Sequence, residues 1–230
     1  MIGAGPASQA SFSAGWYGKM PATGDFIARR LSASFSEPWD RWLQAAMAGS
    51  RERLGALWRD SFLSMPAWRF VLAPGTVSPD AWAGLMVPSV DSVGRYFPLT
   101  VASALPPESL DPVATLLAAA PWFDDIESIA FSALTPGADP AAIDAGILQR
   151  PFRISWLQPP SESDATVPAR APMPRLQWAT PDLAETRAAW LAEASQLFER
   201  CLLLSAGLPG AGHYCAMMDG RWAEHGWTRH

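Results

Sequence analysis

Across 36–62, apolar residues recur every three to four positions (Trp39, Trp42, Leu43, Ala46, Met47, Leu54, Leu57, Trp58, Phe62), which predicts one long amphipathic helix. Ser36 is placed to cap it, and Pro38 falls in the first turn, where a missing N–H does no harm. The pattern then shortens to β-rich runs at 68–72, 81–87 and 99–104, the first ending at Pro74-Gly75 and the last closed by Leu105-Pro106-Pro107. Asp111 and Pro112 supply an N-cap and a first helical position; Pro121 breaks that helix, and Ile126, Ile129 and Ala130 continue on a new turn. A strand is predicted over 152–157. The stretch 159–174 is proline-rich and polar, an exposed loop or the edge of a small lobe. Thr180-Pro181 opens a further predicted helix with its apolar face at Leu183, Trp190, Leu191, Ala194, Leu197 and Phe198. Final strands are predicted at 201–204 and 214–218. This alternation gives an α/β fold class, a layered α/β/α-type domain around a mixed β-sheet. The expected organisation is a flexible lead-in over 1–13, a core over 14–135, and a continuation or small lobe over 136–230.

Composition supports a folded chain. Apolar residues make up 49% and charged residues 17% of the 230, with twelve tryptophans and ten phenylalanines to fill a core. The net charge of −5 and the lack of any Lys/Arg run exclude the electrostatic footprint of a nucleic-acid binder. No apolar run approaches the roughly 20 residues that span a bilayer, and residues 1–14 lack the charged leader and apolar stretch of a secretory signal. Cytoplasmic localisation is expected. Lys19 is the only lysine, the other sixteen cations being arginine, and asparagine is absent. A GC-rich genome explains that bias, yet it leaves one lysine in a glycine-flanked motif.

Three segments hold most of the candidate chemistry. They are Gly15-Trp16-Tyr17-Gly18-Lys19 through Gly24-Asp25-Phe26, then Glu37-Pro38-Trp39-Asp40-Arg41-Trp42-Leu43, then Pro88-Ser89-Val90-Asp91 with Gly94-Arg95-Tyr96-Phe97-Pro98-Leu99. Each mixes glycine, proline, an aromatic ring and charge, as turns that hold charged groups in fixed positions do. With Arg30, Arg69, Asp219 and Trp222 they give Lys19, Gly24, Asp25, Trp39, Asp40, Trp42, Ser89, Asp91, Gly94, Arg95 and Tyr96 as interaction or motif residues. Two readings stay open: Arg–carboxylate pairs that lock turns onto a helix, or a polar, aromatic-flanked face that docks a protein.

Catalytic alternatives are thinner. There is no Gly-x-Ser-x-Gly elbow, and Cys201 heads an apolar run that suits an inert buried thiol. His213 and Cys215, two apart on a predicted strand, would point the same way, which makes a hydrolase with a Cys–His pair conceivable. No His or Cys spacing suits a metal, and Gly18-Lys19 lacks the spacing of a phosphate-binding loop. No cofactor is expected.

The three segments, with Trp68-Arg69-Phe70, resemble the TagF (ImpM-like) family, accessory proteins encoded with bacterial type VI secretion systems. The similarity runs in order from about Ala14 to Leu134 and resumes at Gly207-Leu208-Pro209, Met218-Asp219-Gly220-Arg221-Trp222 and Gly226-Trp227. The resemblance implies a cytoplasmic, non-enzymatic regulator that restrains secretion post-translationally, in connection with a threonine-phosphorylation switch. It implies type VI secretion components as partners, above all the forkhead-associated (FHA) domain scaffold. It carries over no catalytic residue, and 149–180 is where the likeness is weakest.

Overall fold

The computed structural model describes residues 11–106, 110–153, 171–181, 183–195 and 198–230. Eleven strands and six helices are assigned among them. In chain order they are β1 (Ser11–Phe12), β2 (Gly15–Gly18), β3 (Ile27–Arg29), α1 (Ala33–Leu54), α2 (Trp58–Leu63), β4 (Trp68–Leu72), β5 (Ala81–Val87), β6 (Leu99–Leu105), α3 (Pro112–Ala118), α4 (Ala120–Ala133), α5 (Pro140–Leu148), β7 (Phe152–Arg153), β8 (Leu176–Ala179), β9 (Ala188–Ala192), β10 (Cys201–Ser205), α6 (Ala211–Asp219) and β11 (Thr228–Arg229). Nine strands form one sheet in the order β11-β8-β10-β9-β4-β5-β6-β2-β3, and β1 pairs with β7 in a separate ribbon. Among the described residues only β8 and β10 run parallel, so the sheet is mixed.

Alternation along the central strands builds two cores. Trp68, Phe70 and Leu72 of β4, with Trp82 and Met86 of β5, face α1, α2 and α6. Val71, Ala83, Leu85 and Val87 face the other way, onto Leu116 of α3, Trp122, Phe123 and Ile126 of α4, and Ile143 and Ile147 of α5. The architecture is the expected three-layer α/β/α arrangement. Strands from both the 14–135 and the 136–230 stretches enter the same sheet.

Several local expectations change. The long helix starts earlier, with Ser32 at the N-cap, and Pro38 lies inside it; Ser36 turns its hydroxyl back to the Ser32 carbonyl at 3.1 Å instead of capping. It ends at Gly55, whose backbone leaves the helical region, and a 3₁₀ turn leads into α2. The predicted helix after Thr180 is β9, every residue of which is buried between antiparallel neighbours β4 and β10. Sheet pairing overrides the helical spacing there. The strand predicted at 214–218 is instead part of α6, framed by Gly210 at its N-cap and Gly220 in the left-handed conformation at its C-terminus. The α5 helix, opened by Asp139-Pro140, and β8 were not anticipated. Within the expected lead-in, Ser11 and Phe12 pair as β1; residues 1–10 lie outside the described residues, as do 154–157 of the predicted strand and 159–170 of the proline-rich stretch.

Candidate functional site

The first and third motifs come together at one end of the sheet. β2 ends at Gly18 and β6 begins at Leu99, and the two strands are hydrogen-bonded neighbours. Gly18 is required there: its φ is +136°, and a Cβ would sit 2.1 Å from the Pro98 carbonyl oxygen. Lys19, next along, extends its ammonium to Asp91 Oδ2 at 2.6 Å and lies over the Phe26 ring at 4.9 Å. Both ion-pair partners are buried, the side chains 5% and 0% exposed.

Asp91 is the hub. Its Oδ1 accepts from the N–H groups of Val93 (3.1 Å) and Arg95 (2.8 Å), and its Oδ2 also accepts from Arg95 Nε at 2.7 Å. Gly94, with φ +85°, lets the chain reverse so that Arg95 folds back onto the carboxylate four residues earlier. Arg95 also donates to the Gly24 carbonyl, and the Ser92 N–H donates to Thr23 at 3.0 Å, so the two motifs are stitched across 71 and 69 residues respectively. Burial pushes the Asp91 carboxyl up, but hydrogen bonds from Lys19, from the Arg95 backbone and side chain and from Val93 outweigh it and hold the group well below the ordinary carboxylate range. Tyr17, Phe26 and Phe97 pack as an aromatic trio beside this knot, and Val90 and Tyr96 bridge the hairpin. The Asp25 carboxylate accepts from the next residue's N–H at 2.8 Å.

Exposure divides the knot's members by role. Lys19 and Asp91 are interior, whereas the Arg95 side chain is 54% exposed, with Phe26 (41%) and Val93 (66%) also presenting apolar surface. Ser89 is buried and its hydroxyl has no hydrogen-bond partner among the described residues.

The other motif residues serve the fold's interior or its seams. Trp39 is buried, donates to Thr100 Oγ1 at 3.0 Å and packs on Phe35, Trp42 and Phe70. Trp42 donates to the Pro209 carbonyl at 2.8 Å, tying α1 to the loop before α6. Asp40 accepts from Tyr17 Oη at 2.7 Å, and burial together with that hydrogen bond raises the Tyr17 pKa. Arg30 adopts the left-handed conformation (φ 58°) and grips both oxygens of Asp144 at 2.8 and 2.9 Å, where Trp16 Nε1 also donates. Arg69 points from β4 toward α4 and pairs with Asp124 (2.8 Å), Glu127 (2.7 Å) and Glu193 (3.7 Å). Asp144, Asp124 and Glu127 were not singled out in the sequence. Asp139-Pro140, the same opening as Asp111-Pro112, was the available signal for the helix that carries Asp144.

At the C-terminal turn, Asp219 accepts from the N–H and Nε of Arg221, each at 2.9 Å, and from His225 Nε2 at 2.9 Å. Trp222 is half-buried against Trp68, Trp178 and Phe198, and Trp227 is 2% exposed. Because 214–218 is helical, His213 and Cys215 point to different sides. His213 meets the Gly226 carbonyl at 3.3 Å, while Cys215 is fully buried and burial raises its pKa. The two make no hydrogen bond to each other, so the Cys–His pair is not formed. Cys201 is an interior thiol pushed up to about 12 by burial.

Fold and site define a three-layer α/β domain with one end of its sheet closed by two charged turns around a buried carboxylate. The family described as TagF N-terminal domain, type VI secretion system-associated, matches residues 15–149, which contain all three motifs, and the chain belongs to that family. The crystal structure of PA0076 from Pseudomonas aeruginosa PAO1 is similar at 33% identity and a TM-score of 0.68, covering 91% of this chain and 95% of that one. No curated protein matches. The protein is therefore associated with type VI secretion. Among the described residues no helix is long and apolar enough to cross a membrane.

Proposed function

We propose that this chain is a cytoplasmic accessory protein that restrains type VI secretion post-translationally by binding the FHA-domain scaffold of the apparatus, without catalysing a reaction. Family membership supplies the association with secretion. The observation that supports docking is the half-exposed Arg95 guanidinium, held on a buried Lys19–Asp91 base and flanked by exposed Phe26 and Val93. An arginine fixed by its own turn gives up little side-chain freedom on binding, and arginine beside apolar contacts is a common interface anchor. Lys19 and Asp91 support that surface and do not form it.

Size-exclusion chromatography with light scattering on this protein mixed with the FHA-domain protein of the same secretion cluster tests the reading. Co-elution that is lost in Arg95→Ala, with the melting temperature within a few degrees of wild type, is the expected result. Absence of a complex with the unaltered chain overturns the choice of partner. An Arg95→Ala protein that still co-elutes moves the interface away from the turns.

A further inference from the structure

Asp219-Gly220, where α6 ends, is the only Asp-Gly step in the sequence, and asparagine is absent, so no Asn-Gly step competes with it. A glycine after an aspartate has no side chain to hinder attack of its own amide nitrogen on the aspartate side-chain carbon. In that reaction the Gly220 nitrogen bonds to Asp219 Cγ and gives up its proton, and one carboxyl oxygen leaves as water, closing a five-membered succinimide. Water then opens the ring. Opening at the side-chain carbon restores aspartate. Opening at the main-chain carbon leaves an isoaspartyl link, in which the backbone runs through Cγ and is longer by one methylene. The composition of the chain is unchanged, and water is the only co-reactant.

Both reacting groups are engaged in the fold. The Gly220 N–H donates to the Ala216 carbonyl at 2.8 Å, with Gly220 in the left-handed conformation at φ 73°. Asp219 Oδ1 accepts from the Arg221 N–H at 2.9 Å, and Oδ2 accepts from Arg221 Nε and Nη2 and from His225 Nε2, each at 2.9 Å. The Asp219 side chain is only 10% exposed. Whichever oxygen is to leave as water must first give up these donors, and the nitrogen must leave Ala216. We infer that Asp219-Gly220 is a site of spontaneous isoaspartyl formation, kept unreactive by the Arg221 and His225 contacts and released to react when this turn opens. The added methylene would carry the carboxylate away from both partners and lengthen the link from α6 to β11. Thr228 and Arg229 of that edge strand pair with Ala179 and Trp178 of β8, and the longer link loosens their hold. The inference is independent of the docking reading at Arg95.

The test follows the isoaspartyl fraction at 219 by peptide-mapping mass spectrometry with electron-transfer fragmentation. The full chain is kept for weeks at neutral pH, well below its unfolding transition, and in parallel in denaturing guanidinium chloride. The native chain is expected to react at least tenfold more slowly than the unfolded one, the factor that a local opening cost of roughly 1.4 kcal/mol imposes. Arg221→Ala/His225→Ala is expected to react severalfold faster than wild type while remaining folded by circular dichroism. Arg30→Ala, which removes the Asp144 contact beside β3 at the opposite edge of the sheet, is expected to leave the rate at the wild-type value. Equal rates in native and unfolded wild type overturn the inference. So does a folded double variant that reacts no faster than wild type, or an Arg30→Ala chain accelerated as much as the double variant. If the double variant does not fold, His225→Ala carries the same comparison with the same outcomes.

Discussion

Asp91 and Asp219 use the same local device in two different settings. Each carboxylate accepts from the N–H and the side chain of an arginine a few residues later in its own turn. What differs is the third partner. Asp219 finds His225 in the same turn, whereas Asp91 finds Lys19, 72 residues away on another strand end and nearly removed from water. The C-terminal turn is thus a local clasp. The knot at Asp91 is a long-range lock, and its failure separates two segments of the fold.

Asp91→Asn breaks that contrast most severely. It strands the Lys19 ammonium in the interior, and losing one partner of a buried pair is expected to destabilise the protein by about 3–5 kcal/mol in urea unfolding. The folded-state pKa of Asp91 is depressed, so the carboxylate's contribution is complete above the unfolded pKa of roughly 3.9 and is lost as the pH falls through the folded value. The gap between wild type and Asp91→Asn should therefore narrow only below about pH 4. A gap that closes near neutrality would mean that the pair is not the lock. Arg95→Ala keeps the Lys19–Asp91 pair, and its half-exposed side chain predicts a loss of about 1 kcal/mol by the same measurement. A loss as large as that of Asp91→Asn would make Arg95 structural. Asp219→Asn retains hydrogen-bond capacity toward its own turn and should cost the least, under about 1 kcal/mol. A larger effect would put the two turns on an equal footing.

What was legible in the sequence followed how local each signal is. The β4, β5 and β6 strands and the start of α3 were bounded by Pro74-Gly75, by Leu105-Pro106 and by the Asp111 cap, and the structure places them where those residues put them. β9 and α6 were exchanged because their identity is set elsewhere. Trp190 and Leu191 fit a helical spacing, but β4 and β10 supply backbone partners on both sides. Tyr214-Cys215 looks strand-like, yet Gly220 in the left-handed conformation marks a helix end that the apolar pattern concealed. The candidate site was legible as a set of residues and not as an arrangement. Lys19, Asp91 and Arg95 stood out by composition, but nothing in their spacing says that Lys19 is the buried counterion of Asp91. Arg69 stood out too, while its partners on α4 lay in an ordinary helical stretch.

The burial of Lys19 reaches beyond folding energy. It carries the only ε-amine in the 230 residues, and in the folded state that amine is 5% exposed and engaged with a carboxylate. Amine-directed labels will find no ready lysine on the native surface, so lysine cross-linking is a poor way to map this protein's contacts. The same property makes the residue a clock. The rate at which Lys19 acquires a label reports how often this one corner of the molecule comes apart, without an engineered reporter residue and without interference from a second lysine.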